Sequence, residues 1–362
     1  MKINSKTYVL ILLILLFSFN SIDLYSQHLY DSIQLIDTTK NKKENVQFYN
    51  VGHGVTYAYK RPKGYDFLRF FPSDIKEICV ETFQKKNTLK IAAMIGGTTL
   101  LVLADQKITD GAVWLGNRLG ISRDKNNYND KTNTAYSNNG QKTLFDFKFS
   151  LGSNHFSTSI GVPYDISTAM YFLGDGWTHT AITASFFTYG MISKDNRALS
   201  TASQLAEVLV DNAVTTQFLK HITGRESPFT ATENGGVWKP FPNQLDYAKH
   251  VPRYDAFPSG HVATFMGTLT VIAENYPEYK FIRPVGYSLM GVLAFAMLNN
   301  GVHWFSDYPL SIAMGYGFAK IAVNRGRKMV GNEKYTGFLK SVQISPTTIF
   351  QSPGVNLTYK IK

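Results

Sequence analysis

Phe257-Pro258-Ser259-Gly260-His261 is the stretch on which the fold turns. Pro258 and Gly260 favour a tight turn, and His261 opens an apolar run through Ala273 with the look of a helix. A turn feeding a helix leaves backbone N–H groups without an intrahelical partner, which makes a ready anion site. The Ser259 hydroxyl and the His261 imidazole stand beside those donors. By itself the stretch is a weak signal, and its weight comes from its surroundings.

Working outward, helical stretches are expected on both sides. Downstream they are residues 261–275, 284–298 and 309–323. Upstream, residues 199–221 carry an apolar stripe of Ala206, Val208, Leu209, Ala213, Val214, Phe218 and Leu219, and should stop at Gly224 and Pro228. Between them, residues 222–256 have little periodicity, and a connection of that length is often a lid or binding loop. Residues 164–193 hold two apolar helical patches around Gly174-Asp175-Gly176. His179, in the second patch, reads as a core or surface histidine rather than a catalytic one. Residues 87–105 read as a buried or a short membrane-facing helix, and 108–119 as a separate helix ending at Gly120. Residues 28–75 are polar and mixed, 74–83 suit a short helix, and 122–146 suit an exposed loop. In the tail, 342–346 and 355–361 alternate as short strands.

Composition bounds the class. Of 362 residues, 44% are hydrophobic and 17% charged, enough apolar material for a large core and too much for a disordered chain. The net charge is +11, from 37 Lys plus Arg against 26 Asp plus Glu, which favours phosphates or anionic lipid. No run of basic residues marks a nucleic-acid surface, so nucleic acid is not an expected partner. Lys2 and Lys6 followed by an apolar core at 8–19, too short for the ~20 residues of a span, read as a secretory signal peptide ending at Ser26. The expected location is therefore the periplasm or cell envelope. Cys79, the single cysteine, allows no internal disulfide and reads as a small buried hydrophobe. The organisation expected is a signal peptide (1–26), a partly irregular extension (27–86), a helical domain (87–330) and a tail with short strands (331–362).

Three polar clusters fall at ends of the expected helices: Lys220 to Pro228, Pro258 to His261, and His303 to Asp307. On a helix, His303 and Asp307 would share a face. The carboxylate would then hold one imidazole nitrogen and leave the other free as nucleophile or base. In order and separation these clusters resemble the type 2 phosphatidic acid phosphatase superfamily, which includes bacterial acid phosphatases and vanadium haloperoxidases. Its motifs are Lys, six residues, Arg-Pro; then Pro-Ser-Gly-His; then Ser-Arg, five residues, His, three residues, Asp. The second is complete here, the third keeps His303 and Asp307, and the resemblance covers roughly residues 160–325.

The resemblance implies an all-α helical bundle of that kind, with the stranded tail appended. It also implies roles. His303 would attack phosphorus, Asp307 would orient it, and His261 would protonate the leaving oxygen and then activate water. Lys220, Ser259 and the N–H of Gly260 would hold the phosphate oxygens, with no metal and no cofactor required. Two family arginines are replaced, by Ser227 and by Met297. Arg225 is the candidate phosphate ligand in their stead, with Arg253 second; the plain alternatives are a helix-end cap and a loop surface. The expected function is hydrolysis of a phosphate monoester or diphosphate, of a soluble molecule or a phospholipid, with peripheral membrane contact. The alternative is a non-catalytic envelope protein that binds a phosphate or lipid head group. Vanadate chemistry in the same pocket is disfavoured by the same two replacements.

Overall fold

The computed structural model describes residues 46–52, 54–121, 143–151, 156–163, 166–331, 342–349 and 352–359. The expected signal peptide and the Asn-rich stretch 122–142 lie outside them. The architecture is the expected helical bundle. In chain order the strands and helices are β1 (Val46–Gly52), β2 (Val55–Lys60), α1 (Asp66–Arg69), α2 (Phe71–Thr82), α3 (Thr88–Arg118), β3 (Thr143–Leu151), β4 (Phe156–Pro163), α4 (Ile166–Phe172), α5 (Gly176–Ile192), α6 (Asn196–Thr223), α7 (Gln244–Lys249), α8 (Gly260–Asn275), α9 (Ile282–Asn299), α10 (Tyr308–Gly326), β5 (Lys328–Gly331), β6 (Val342–Ile349) and β7 (Ser352–Tyr359).

Helix α8 is the axis of the molecule. One side of it, with Val262, Phe265, Met266 and Leu269, shares a core with Met290, Leu293 and Met297 of α9. Val271 shares a second core with Leu205 and Val208 of α6 and Phe318 and Ala322 of α10. Each such side chain, fully buried, contributes roughly 1.5–3 kcal/mol from area removed from water. Glycines let the backbones close in. A Cβ on Gly315 of α10 would stand 2.2 Å from the carbonyl oxygen of Ala263 in α8, and one on Gly267 would stand 2.5 Å from Val208.

Local signals set the ends of the long helices. Asp195 caps α6 by accepting from the N–H of Ala198, and Gly224, with φ at 57° in the left-handed region, ends it. Ser259 caps α8 through the N–H of Val262, and Pro309 sits in the first turn of α10.

Four expectations need correcting. The two helices expected at 87–105 and 108–119 are the single helix α3, because nothing between them breaks a helix: Gln106 and Lys107 are both good helix formers. The polar stretch 28–75 contains β1 and β2, which pair antiparallel with each other, and β2 pairs with β5 from the far end of the bundle. Tyr59 ties this sheet down by donating to Asn275 Oδ1 of α8 at 2.9 Å. The hairpin β3–β4 stands where no strand is expected, and its first residues occupy the end of the expected loop 122–146. Cys79 is exposed rather than buried. The tail strands, β6 and β7, do form and pair antiparallel with each other.

Helix α3 has the inverse of a soluble helix's pattern. The residues it buries are Asp105, Thr109, Ala112 and Gly116. Leu89, Leu100 and Leu103 are 82%, 68% and 79% exposed. Likewise α5 buries His179 and Gly190 and exposes Phe187 and Ile192.

Candidate active site

The structure brings His261 and His303 together at the start of α8, with ring centroids 5.9 Å apart and planes at 65°. His303 is buried in the irregular segment before the 3-10 turn Phe305–Asp307 that leads into α10, and is not on a helix with Asp307 as expected. Its Nδ1 donates to the carbonyl of Ala256 at 2.7 Å. Asp307 Oδ2 lies 3.6 Å from the same nitrogen, an ion-pair distance rather than a hydrogen bond. With Nδ1 as donor, Nε2 of His303 keeps its lone pair.

Asp307 is itself held from two directions. The N–H of Trp304 donates to Oδ2 at 2.7 Å, and Arg225 Nη1 donates to Oδ1 at 2.6 Å. This is where one expectation fails. The Arg225 guanidinium is fully buried and both of its terminal nitrogens are engaged, Nε alone lacking a partner: Nη1 also donates to Ser306 Oγ at 2.6 Å, and Nη2 to Asp105 Oδ2 at 2.6 Å and to the Gly235 carbonyl at 3.0 Å. Trp238 and Trp304 lie against it, 4.6 and 5.3 Å from guanidinium carbon to ring centroid. Arg225 is therefore a fixed partner of Asp307, not a ligand free to meet phosphate. Five N–H donors in a planar fork can serve two carboxylates at once, which Lys could not.

Asp105 was missed by sequence reasoning. It comes from α3, accepts from the N–H and the hydroxyl of Ser306 at 3.0 and 2.5 Å, and completes the chain Asp105–Arg225–Asp307. Its signal was available: a lone carboxylate following Leu100-Leu101-Val102-Leu103-Ala104 is costly unless it is paired.

Lys220, in the last turn of α6, is largely buried, and its Nζ stands 3.3 Å from Asp255 Oδ2. Ser259 is fully buried, its hydroxyl oxygen caps α8 through Val262, and its own N–H donates to the Asp307 carbonyl at 3.3 Å. Gly260 is the first residue of α8, in the turn whose N–H groups lack intrahelical acceptors. His261 lies edge-on to Tyr171, centroids 4.7 Å apart. Burial, with the neighbouring His303, Lys220 and His179, holds the His261 imidazole well below its usual range.

The replaced positions are structural. Met297 is fully buried in the core with Leu293 and Val262. Ser227 is buried, with its N–H on the Pro252 carbonyl at 2.9 Å. Arg253 lies exposed in a 3-10 turn. His179 is buried, hydrogen-bonded to the Leu173 carbonyl, and His221 stacks on Tyr247. The long connection is a frame rather than a lid: Arg225 bridges to Trp238 and Asp255, and Glu226 accepts from the N–H groups of Thr232 and Val237.

No curated protein and no solved structure matched the chain. Residues 201–328 match the family model of the PAP2 superfamily, a span that holds Lys220, Ser259, His261, His303 and Asp307 and excludes Asp105. Helical bundle, motif order and family match agree: residues 201–328 are a domain of the PAP2 superfamily, whose activity is of the phosphatase type on phosphate esters.

Proposed function

We propose that the chain hydrolyses a phosphate monoester or diphosphate through a phosphohistidine on His303. The observation that carries this reading is the hydrogen bond from His303 Nδ1 to the Ala256 carbonyl, which leaves Nε2 as the nucleophilic nitrogen beside His261. Nε2 attacks phosphorus, and an N–P bond forms as the ester P–O bond breaks. His261 gives its proton to the departing oxygen. Water then attacks phosphorus, His261 takes its proton, and the N–P bond breaks to release phosphate. Lys220 and the N–H groups of the first turn of α8 meet the phosphate oxygens, with Asp255 as the anion that phosphate displaces from Lys220. The positive charge that develops on His303 is balanced by Asp307, which Arg225 and the Trp304 N–H hold in place.

The test is phosphate release by the purified full chain from p-nitrophenyl phosphate and from phosphatidic acid in mixed micelles. The expected result is turnover of at least one substrate, lost by about 10³-fold or more in His303→Ala. No release by the wild type, or release unchanged in that variant, refutes the reading. A second reading has its own observation. Ser227 and Met297 replace two phosphate-binding arginines and Arg225 is engaged elsewhere, which suits a protein that binds a phosphate or lipid head group without turnover. It predicts thermal stabilisation by inorganic phosphate with no hydrolysis.

We also propose that the chain works at a lipid surface in the periplasm or cell envelope. The exposed leucines of α3 and the exposed Phe187 and Ile192 of α5 support this, since water does not favour such faces and a bilayer does.

A further inference from the structure

Far from the histidines, three carboxylates are buried together. Asp74 comes from α2, and Glu207 and Asp211 come from consecutive turns of α6; one oxygen of each lies within 4.8 Å of the others. Asp74 and Asp211 are 0% exposed and Glu207 is 3%. Arg325 of α10 is the cation among them. Its Nη2 donates to Asp74 Oδ1 and its Nη1 to Glu207 Oε1 at 2.9 Å, while the more exposed Glu77 lies 3.8 Å away. Asp74 Oδ2 and both oxygens of Asp211 are buried without a hydrogen-bond partner.

Three carboxyl groups share one guanidinium, so all three can be ionised together in this buried place only with a further cation beside them. The geometry suits such a cation. The donors are all oxygen, they come from two elements, and their separation fits a shared ion at the ~2.0–2.6 Å of hard divalent cations. Arg325 holds one oxygen of Asp74 and one of Glu207, as an outer hydrogen bond orients a metal ligand.

We propose that Asp74, Glu207 and Asp211 bind a hard divalent cation of the calcium, magnesium or manganese class, which fastens α2 to the bundle. Asp211 precedes Lys220 by nine residues on α6, about 13 Å along the helix axis, so this site is separate from the histidine pair.

The test uses the purified full chain stripped with chelator. Equilibrium dialysis against calcium, magnesium and manganese, each with metal analysis of the protein, is expected to show one ion per chain for at least one of them. The same ion is expected to raise the thermal midpoint by about 5 °C at 100-fold excess over its dissociation constant. Asp211→Asn and Glu207→Gln are each expected to lose both effects while keeping the helical circular dichroism. Absence of stoichiometric uptake of all three ions by the wild type overturns the proposal without any variant. Undiminished binding in a folded variant overturns it too, because the ion then sits elsewhere.

Discussion

Arg225 has two buried carboxylates to neutralise, and that fixes what its removal does. Arg225→Ala leaves Asp105 and Asp307 uncompensated in a site with no exposure, a loss of about 3–5 kcal/mol. Chemical denaturation should show it, and Arg225→Lys should recover only part, since an ammonium cannot span both acids and Ser306. His261 makes a prediction of different kind. Its imidazole is held below the usual ~6.5, and the proposed chemistry needs it protonated to expel the leaving group. As pH rises through that lowered pKa the acid form is lost, so kcat/KM should already be falling below pH 6.5; a profile flat from pH 5 to 8 would remove His261 from that role. At this scale the motif spacing named His261, His303, Asp307, Lys220, Ser259 and Gly260, and the fold sets His261 beside His303 and Ser259 beside Asp307. It misassigned Arg225, because spacing says nothing of which way a side chain turns, and the partner that turned it, Asp105, is distant in sequence.

Helices α8 and α10 touch through backbone. A methyl on Gly315 would stand 2.2 Å from the Ala263 carbonyl and 3.0 Å from the Gly267 nitrogen, neither of which can swing aside. Gly315→Ala should therefore separate the two helices and cost about 1–3 kcal/mol. Because His303 is set by the Ala256 carbonyl just before α8 and by Asp307 just before α10, turnover should fall as well. A thermal midpoint equal to wild type would contradict the close approach. Helix positions were legible from apolar periodicity and from stop signals, as with Gly224 at the end of α6. Sheet β1–β2–β5 was not, since its strands are short and β2 and β5 lie at opposite ends of the chain; such pairing leaves no local mark.

For the molecule as a whole, burial is inverted on two helices. α3 turns Asp105, Thr109 and Gly116 inward and Leu89, Leu100 and Leu103 outward, against the usual partition. If those leucines rest on lipid, the wild-type chain should float with phosphatidylethanolamine–phosphatidylglycerol vesicles in a density gradient. Leu100→Glu with Leu103→Glu should sink, since each replaces an exposed apolar side chain with a charge; a wild-type chain that stays below the vesicles rejects the lipid contact. From sequence alone, 87–105 read equally as buried or as membrane-facing, because apolar content is the same in both. Sequence by itself determined the helical class and the residue types of the phosphoryl-transfer motifs, since periodicity, caps and spacing are local properties. Only the tertiary structure decided what those residues face. It put Arg225 between Asp105 and Asp307, gave His303 Nδ1 to Ala256, and closed Asp74 in with Glu207 and Asp211. Charge in a protein interior is settled by its neighbours, and neighbours are a property of the fold.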